Sequence, residues 1–220
     1  MDRRLILLVV AVVALVGVVN ATVYAYRWIT GTVQIAPASE AGGAACTGFY
    51  SSTEQSIPNA YLPEVGKNYN AQTYGSNRIS VSTGDVVCEW NGYKLYESIE
   101  VEIPITVGSW YIQDFYGFGY YNGTDPVYVW FRLEGPATDG DYLSTAKLVI
   151  YKVSSSGTPS YVTELDLLGS TGDYVSAGSL NPGQAFRLDL RFDATSNGTV
   201  SFTVGVYVSQ ENEAPVSPTP

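Results

Sequence analysis

The sequence contains no histidine, so the side chains left to do chemistry are chiefly carboxylates. Without an imidazole there is no Ser-His-Asp or Cys-His nucleophile and no His-ligated zinc or iron. Two carboxylates alone can cleave a glycosidic bond, one as the acid and the other as base or nucleophile, and Glu97, Glu100 and Glu102 are the candidates for such a pair. The two-residue step from Glu100 to Glu102 sets both on one face of a strand, which reads as a solvated face rather than a cleft. Asp139-Gly140-Asp141 offers a second chemistry, since carboxylates and backbone carbonyls around a turn are hard-oxygen ligands for Ca²⁺. The segment lacks the full spacing of an EF-hand loop, and an ordinary turn is the alternative. On these residues the chain is expected to be no enzyme and to require no cofactor, with Ca²⁺ at Asp139 and Asp141 as the one metal option.

Binding chemistry has more material. The densest aromatic stretch runs from Trp110 to Tyr121, Trp110-Tyr111-Ile112-Gln113-Asp114-Phe115-Tyr116-Gly117-Phe118-Gly119-Tyr120-Tyr121. Exposed rings stack on sugars or on a partner subunit, whereas buried ones fill a core; both readings stand, and the glycines suggest a bent ribbon or loop. Charge narrows the partners. Lys plus Arg number 11 against 21 Asp plus Glu, a net of −10, which argues against the clustered positive charge that binding nucleic acid requires, so no nucleic-acid partner is expected. Cys46 and Cys88 are the two cysteines. In an exported chain they read as a disulfide, closing a loop of about 40 residues and stabilising by roughly 3 to 4 kcal/mol; two buried thiols are the alternative. Asn122-Gly123-Thr124 and Asn197-Gly198-Thr199 are glycosylation sequons, and Asn-Gly is also a tight-hairpin dipeptide. Either reading puts Asn122 and Asn197 at the surface.

The elements that must position these groups are strands. Eighteen Tyr, 22 Gly, 11 Pro and one Met, with runs of Val, Ile and Thr, favour pleated strands and turns. Hydrophobic residues at 45% are ample for a core. Arg3 and Arg4 precede an apolar run from Leu5 to Val19, and small residues follow at Ala21 and Ala25, the layout of a secretory leader, read here as 1–21 with cleavage after Ala25 as the alternative. That run is shorter than the roughly 20 apolar residues that span a bilayer comfortably, so the mature chain is expected outside the cell or on its surface with no stable membrane anchor. The mature chain then opens on Thr22-Val23-Tyr24-Ala25-Tyr26-Arg27-Trp28-Ile29-Thr30-Gly31-Thr32-Val33-Gln34-Ile35, a strong strand with no proline. A decorated loop with one or two short strands follows to Gly75, held by Cys46. Beyond it strands are expected over Arg78 to Ser82, Lys94 to Thr106, Trp110 to Phe115, Val127 to Leu133, Thr145 to Val153, Tyr161 to Leu167, Ala185 to Asp193 and Thr199 to Ser209. In Phe186-Arg187-Leu188-Asp189-Leu190-Arg191-Phe192 apolar residues take one face and charges the other, so one face is core and the other wet. Asp193 to Gly198 reads as a hairpin turn between the last two strands. The spacing predicts an all-β antiparallel jelly roll or β-sandwich over 36–210, followed by a solvated, Pro-rich tail over 211–220.

A strand that opens a mature chain can pair in its own sheet or be donated to a neighbour's. Backbone bonds at about 1 kcal/mol each and buried Val, Ile, Tyr and Trp side chains at about 1.5 to 3 kcal/mol each can together exceed an association cost of roughly 4 to 15 kcal/mol. Head-to-tail donation does not close, so it builds a filament. In layout, the leader, the early strand ending Thr30-Gly31-Thr32-Val33-Gln34-Ile35, the Gly, Ser and Asn-rich body and the closing strand from Val200 to Gln210 resemble the TasA and camelysin-like secreted filament proteins, and among them the archaeal bundling pilins and cannula tube subunits. The resemblance implies a jelly-roll subunit whose first strand completes the next subunit's sheet, a homopolymer whose assembly Ca²⁺ promotes in the cannula type. The expectation is therefore an extracellular structural subunit polymerising through residues 22–35. The alternative is a monomeric cell-surface β-sandwich that binds carbohydrate or another ligand through the Trp110 to Tyr121 aromatics.

Overall fold

The computed structural model describes residues 46–68, 79–138, 140–154 and 157–215; the leader, the expected donor strand from Thr22 to Ile35 and Asp139 lie outside them. Among the described residues the strands are β1 (Cys46–Tyr50), β2 (Ser80–Thr83), β3 (Val86–Trp90), β4 (Tyr93–Tyr96), β5 (Ser98–Ile105), β6 (Gly108–Asn122), β7 (Val127–Gly135), β8 (Leu143–Val153), β9 (Pro159–Asp166), β10 (Tyr174–Leu180), β11 (Gln184–Ala194) and β12 (Gly198–Ser209). They form a seven-stranded sheet in the order β3-β4-β1-β6-β11-β8-β9 and a five-stranded sheet in the order β10-β7-β12-β5-β2. Every pairing is antiparallel. The expected all-β sandwich is the fold.

Period-two alternation makes the core. Phe186, Leu188, Leu190 and Phe192 on β11 face Ile99, Val101 and Ile103 on β5, Val129, Phe131 and Leu133 on β7, and Val200, Phe202 and Val204 on β12 within one buried cluster. Rings at its centre meet edge to face, Phe49 on Phe118 at 5.4 Å and Phe131 on Phe186 at 5.9 Å between centroids; such contacts contribute about 0.5 to 1.5 kcal/mol each beyond burial. Cys46 and Cys88 form the expected disulfide, with 5.6 Å between their Cα atoms, and join β1 to β3. No helix among the described residues is long and apolar enough to cross a membrane.

Four expectations are corrected. The segment from Asp193 to Gly198 is no hairpin: β11 lies in one sheet and β12 in the other, so it arches across the sandwich and the two apolar faces meet through the core. Asn197 Oδ1 accepts the Val107 N–H at 3.0 Å and fixes that arch. Lys94 to Thr106 is two strands rather than one, since the chain changes sheets at Glu97, where the Glu97 N–H donates to Asp85 O and the Gly84 N–H to Ser98 O. Trp110 to Phe115 belongs to a strand of 15 residues that runs straight through Gly117 and Gly119. Strands β3 and β10 lie where none is expected; in β10 the register shifts at Gly178, whose φ of +77° suits glycine and interrupts the alternation.

The glycines in β6 have a packing reason. Residues 51–68 leave β1, form the short helix α1 (Ser52–Gln55), and strap the outer face of the seven-stranded sheet. Ser51 caps α1 by accepting from the Glu54 N–H, and its hydroxyl donates to Gly66 O at 2.8 Å, closing the base of the strap. Ile57, Leu62 and Val65 of the strap bury a second cluster with Tyr50, Leu95, Val153 and Ala185. A Cβ on Gly117 would stand 1.9 Å from a Val65 methyl, and one on Gly119 would stand 2.7 Å from the Tyr50 ring. Only a bare backbone lets the strap lie this close.

Candidate functional site

Beyond the Val65 end of the strap the outer face opens to solvent, and there the charged side of β11 is not simply wet. Asp189 points away from the core yet is fully buried. Its carboxylate is sealed by three donors: the Tyr111 hydroxyl at 2.7 Å and Arg187 Nη2 at 2.9 Å on Oδ2, and the Asp114 backbone N–H at 2.8 Å on Oδ1. Charge-assisted bonds of this kind are stronger than neutral ones and offset part of the cost of taking a carboxylate out of water. The expectation of a solvated charge row is corrected at this residue, because its neighbours are long and polar enough to roof it.

Cross-strand register assembles the rest. Arg187 lies opposite Tyr151 of β8, and Tyr151 opposite Tyr161 of β9. The guanidinium sits over the Tyr151 ring at 4.5 Å, a cation–π contact, and Tyr151 meets Tyr161 edge to face at 5.9 Å. The Tyr111 and Tyr151 hydroxyls are 3.0 Å apart. Burial first, then the bonds to Tyr151 and Asp189, push the Tyr111 phenol far above its ordinary range, so it remains a donor at every physiological pH. The outer rings stay open: Tyr111 is 52% and Tyr161 59% exposed. Lys147 and Glu164 form an ion pair alongside.

Asp114 links this face to the strap. It sits at the bulge where β6 slips register against β11, with φ at +57°, a left-handed conformation that Asp tolerates better than most residues. That turn aims its N–H at Asp189 while its own Oδ1 accepts the Gly66 N–H at 2.8 Å and its carbonyl accepts the Asn68 N–H at 3.0 Å. Asn68 also donates through its side chain to Gln113 O. Burial raises the Asp114 carboxyl above its ordinary value, opposed by the backbone donors and Arg187.

The rings expected to bind divide between core and surface. Phe115, Tyr116, Phe118 and Tyr120 are core; Trp110 is half-buried and donates to Thr106 O at 2.8 Å. Tyr111 enters the site. Tyr121 stacks on Trp90 at 4.0 Å, with Tyr61 at 4.3 Å from Trp90, in a ring group that caps the far end of the strap. On the five-stranded sheet, Trp130 stands with Tyr128 and Tyr207 on the outward side but is only 3% exposed, and the open ring there is Tyr174, alone at the start of the edge strand β10. Glu100 and Glu102 are exposed on that other sheet, the solvated face expected, and Glu97 sits at the change of sheets. Asp141 is exposed in the 3-10 turn Gly140–Tyr142, while its expected companion Asp139 lies outside the described residues. Among those residues no three His, Cys, Asp or Glu side chains come together to hold a metal ion. Asn122 and Asn197 are both exposed, the first at the end of β6 and the second on the connection between the sheets from β11 to β12. Sequence reasoning misses Asp114, Tyr151, Tyr161, Arg187 and Asp189 as a group; its available signal was opposite charges two residues apart on β11 beside outward tyrosines on other strands.

Two open phenol rings around a fixed guanidinium–carboxylate pair can stack against the apolar face of a ring-shaped ligand and hydrogen-bond its rim. Asp189 and Asp114 both have donors on their oxygens and stand as positioning groups. Fold and face together define an antiparallel β-sandwich with an aromatic and polar platform on one sheet. No family model matches the chain, and no curated protein does. Among solved structures it is similar to the module TmCBM61 in complex with β-1,4-galactotriose, at 12% identity and a TM-score of 0.29 over 69% of this chain and 98% of that one. It is also similar to two mutants of the family 29 carbohydrate-binding module CBM29-2. One matches at 14% identity and a TM-score of 0.23 over 69% of this chain and 95% of that one. The other, complexed with cellulohexaose, matches at 12% and 0.22 over 74% and 89%.

Proposed function

We propose that this chain is a non-catalytic, exported β-sandwich module that binds carbohydrate on the outer face of its seven-stranded sheet. The observation that carries the reading is the pair of open rings, Tyr111 and Tyr161, around the Arg187–Asp189 pair, whose carboxylate is buried and whose guanidinium keeps a little contact with solvent. Sugar rings have one apolar C–H face and a rim of hydroxyls, so a ligand lying on Tyr111 or Tyr161 directs its rim toward Tyr151 and the Arg187 fork. The platform is held before the ligand arrives, by the strands, the bulge at Asp114 and the strap, which lowers the ordering cost of binding. Export is supported by the leader-like residues 1–21 and by the disulfide, a bond of oxidising compartments.

The test is calorimetric titration with soluble oligosaccharides and retention on insoluble polysaccharides, comparing the native chain with Tyr161→Ala. The native chain binds at least one glycan, and the variant loses tenfold or more, about 1.4 kcal/mol, while keeping its melting temperature. No binding across a broad panel, together with regular fibres in the electron microscope, would reject this reading in favour of the filament subunit, which residues 22–35 would assemble.

A further inference from the structure

We propose that the glycan is acidic, and that Arg191 is the receptor for its carboxylate; this rests on the carbohydrate reading above. Arg191 lies on the same outward row as Arg187 and Asp189. In cross-strand register it is flanked by Tyr111 of β6 on one side and Lys147 of β8 on the other. Among the described residues the other cations on this side of the sheet are committed: Arg187 to Asp189, Lys147 to Glu164, and Lys67 of the strap to Glu64. Arg191 is exposed and, among the described residues, is in ion-pair contact with no carboxylate.

Asp193, two residues on, is the acid nearest along the strand. Its carboxylate accepts from Ser109 and Thr145, which hold its carboxyl below the ordinary range more than Arg191 does. Asp166 faces Lys147 from β9. In a chain with a net charge of −10, a solvent-facing guanidinium in direct ion-pair contact with no carboxylate of the described residues, beside a half-exposed tyrosine, is out of character with the surface around it. Neighbouring strands stand about 4.8 Å apart, close to the width of one pyranose ring. A sugar stacked on Tyr111 therefore brings a ring substituent over β11, within reach of Arg191. A carboxylate there meets the planar fork in the two-bond geometry that guanidinium favours, with Lys147 adding positive potential. A hydroxymethyl in the same place gains one ordinary hydrogen bond.

The experiment uses galacturonate, glucuronate and mannuronate oligomers, each beside its carboxyl-reduced neutral form, in calorimetric titrations at 150 mM salt. For the oligomer that binds best, the acidic form is expected to bind the native chain at least tenfold more tightly than its reduced partner. In Arg191→Gln, whose melting temperature should match the native chain because the side chain is exposed, that ratio falls below about two. Equal or weaker binding of the acidic forms, or a ratio that survives Arg191→Gln, would overturn the inference while leaving the carbohydrate reading in place. Failure of acidic and neutral forms alike would overturn the inference, and the broader glycan panel above then decides the carbohydrate reading.

Discussion

At the residue scale the site is built around a charge that has been taken out of water. Asp189 is tolerable there because Arg187, Tyr111 and the Asp114 amide all donate to it. Removing one member of a buried charge pair leaves the other uncompensated, at a cost of roughly 3 to 5 kcal/mol. Asp189→Asn is therefore expected to lower the unfolding free energy obtained from urea titration by an amount near the bottom of that range, because Arg187 keeps a little contact with solvent. Tyr111→Phe should cost less, since water can replace a half-exposed hydroxyl. Asp114 gives the pH dependence. Its folded-state carboxyl lies above the ordinary value, so the native state holds that proton more tightly than the unfolded chain does. Its contribution to stability is then greatest below the ordinary carboxyl range and falls as pH rises through the raised value. Asp114→Asn keeps an acceptor for the Gly66 N–H, and the loss of stability on raising the pH through that window is expected to flatten; urea midpoints measured across pH 3 to 7 give the comparison.

At the scale of elements, the strap decides how the outer face is used. It covers the middle of the seven-stranded sheet and stops at Asp114, leaving Tyr111, Tyr151 and Tyr161 in the open. Gly117 is the point of closest approach. Gly117→Ala forces its new methyl into Val65 from the middle of a strand paired on both sides, and overpacking of this kind costs about 1 to 3 kcal/mol. The expected signs are a lower melting temperature and faster proteolytic cutting within 51–68, with β-sheet circular dichroism unchanged. The strap also shows what the sequence could convey. Alternation in Phe186 to Phe192 and in Phe202 to Val208 identified two strands and their core faces, because side-chain direction has a period of two wherever the strand lies. It could not say whether those strands pair edge to edge or face each other through the core, since both arrangements bury the same residues; hence the hairpin at Asn197 that is an arch. Leu95 and Ile99 likewise share a parity but serve different clusters, because the chain changes sheets at Glu97. The site was less legible still. Its residues come from β6, β8, β9 and β11, and what makes Asp189 a buried anchor is register across strands, which local pattern does not contain.

At the scale of the whole molecule, a sandwich has two outer faces, and here they differ. The five-stranded sheet turns out Glu100 and Glu102, a tryptophan that is closed off and one open ring at its edge, Tyr174, while the seven-stranded sheet turns out two open tyrosines beside a fixed arginine, and the strap. Carbohydrate binding by the second face is the central claim, and it localises the ligand to one side of the protein. The most direct measurement is a nuclear magnetic resonance titration of the folded chain, with ¹³C-labelled tyrosine rings and ¹⁵N-labelled backbone, against the best-binding oligosaccharide. The account predicts shifts at the rings of Tyr111, Tyr151 and Tyr161 and at the amides around Arg187 and Asp114, with Tyr128, Tyr207 and β5 unmoved. Shifts confined to the five-stranded sheet or to the Trp90 and Tyr121 rings, or no shifts at saturating glycan, would contradict it.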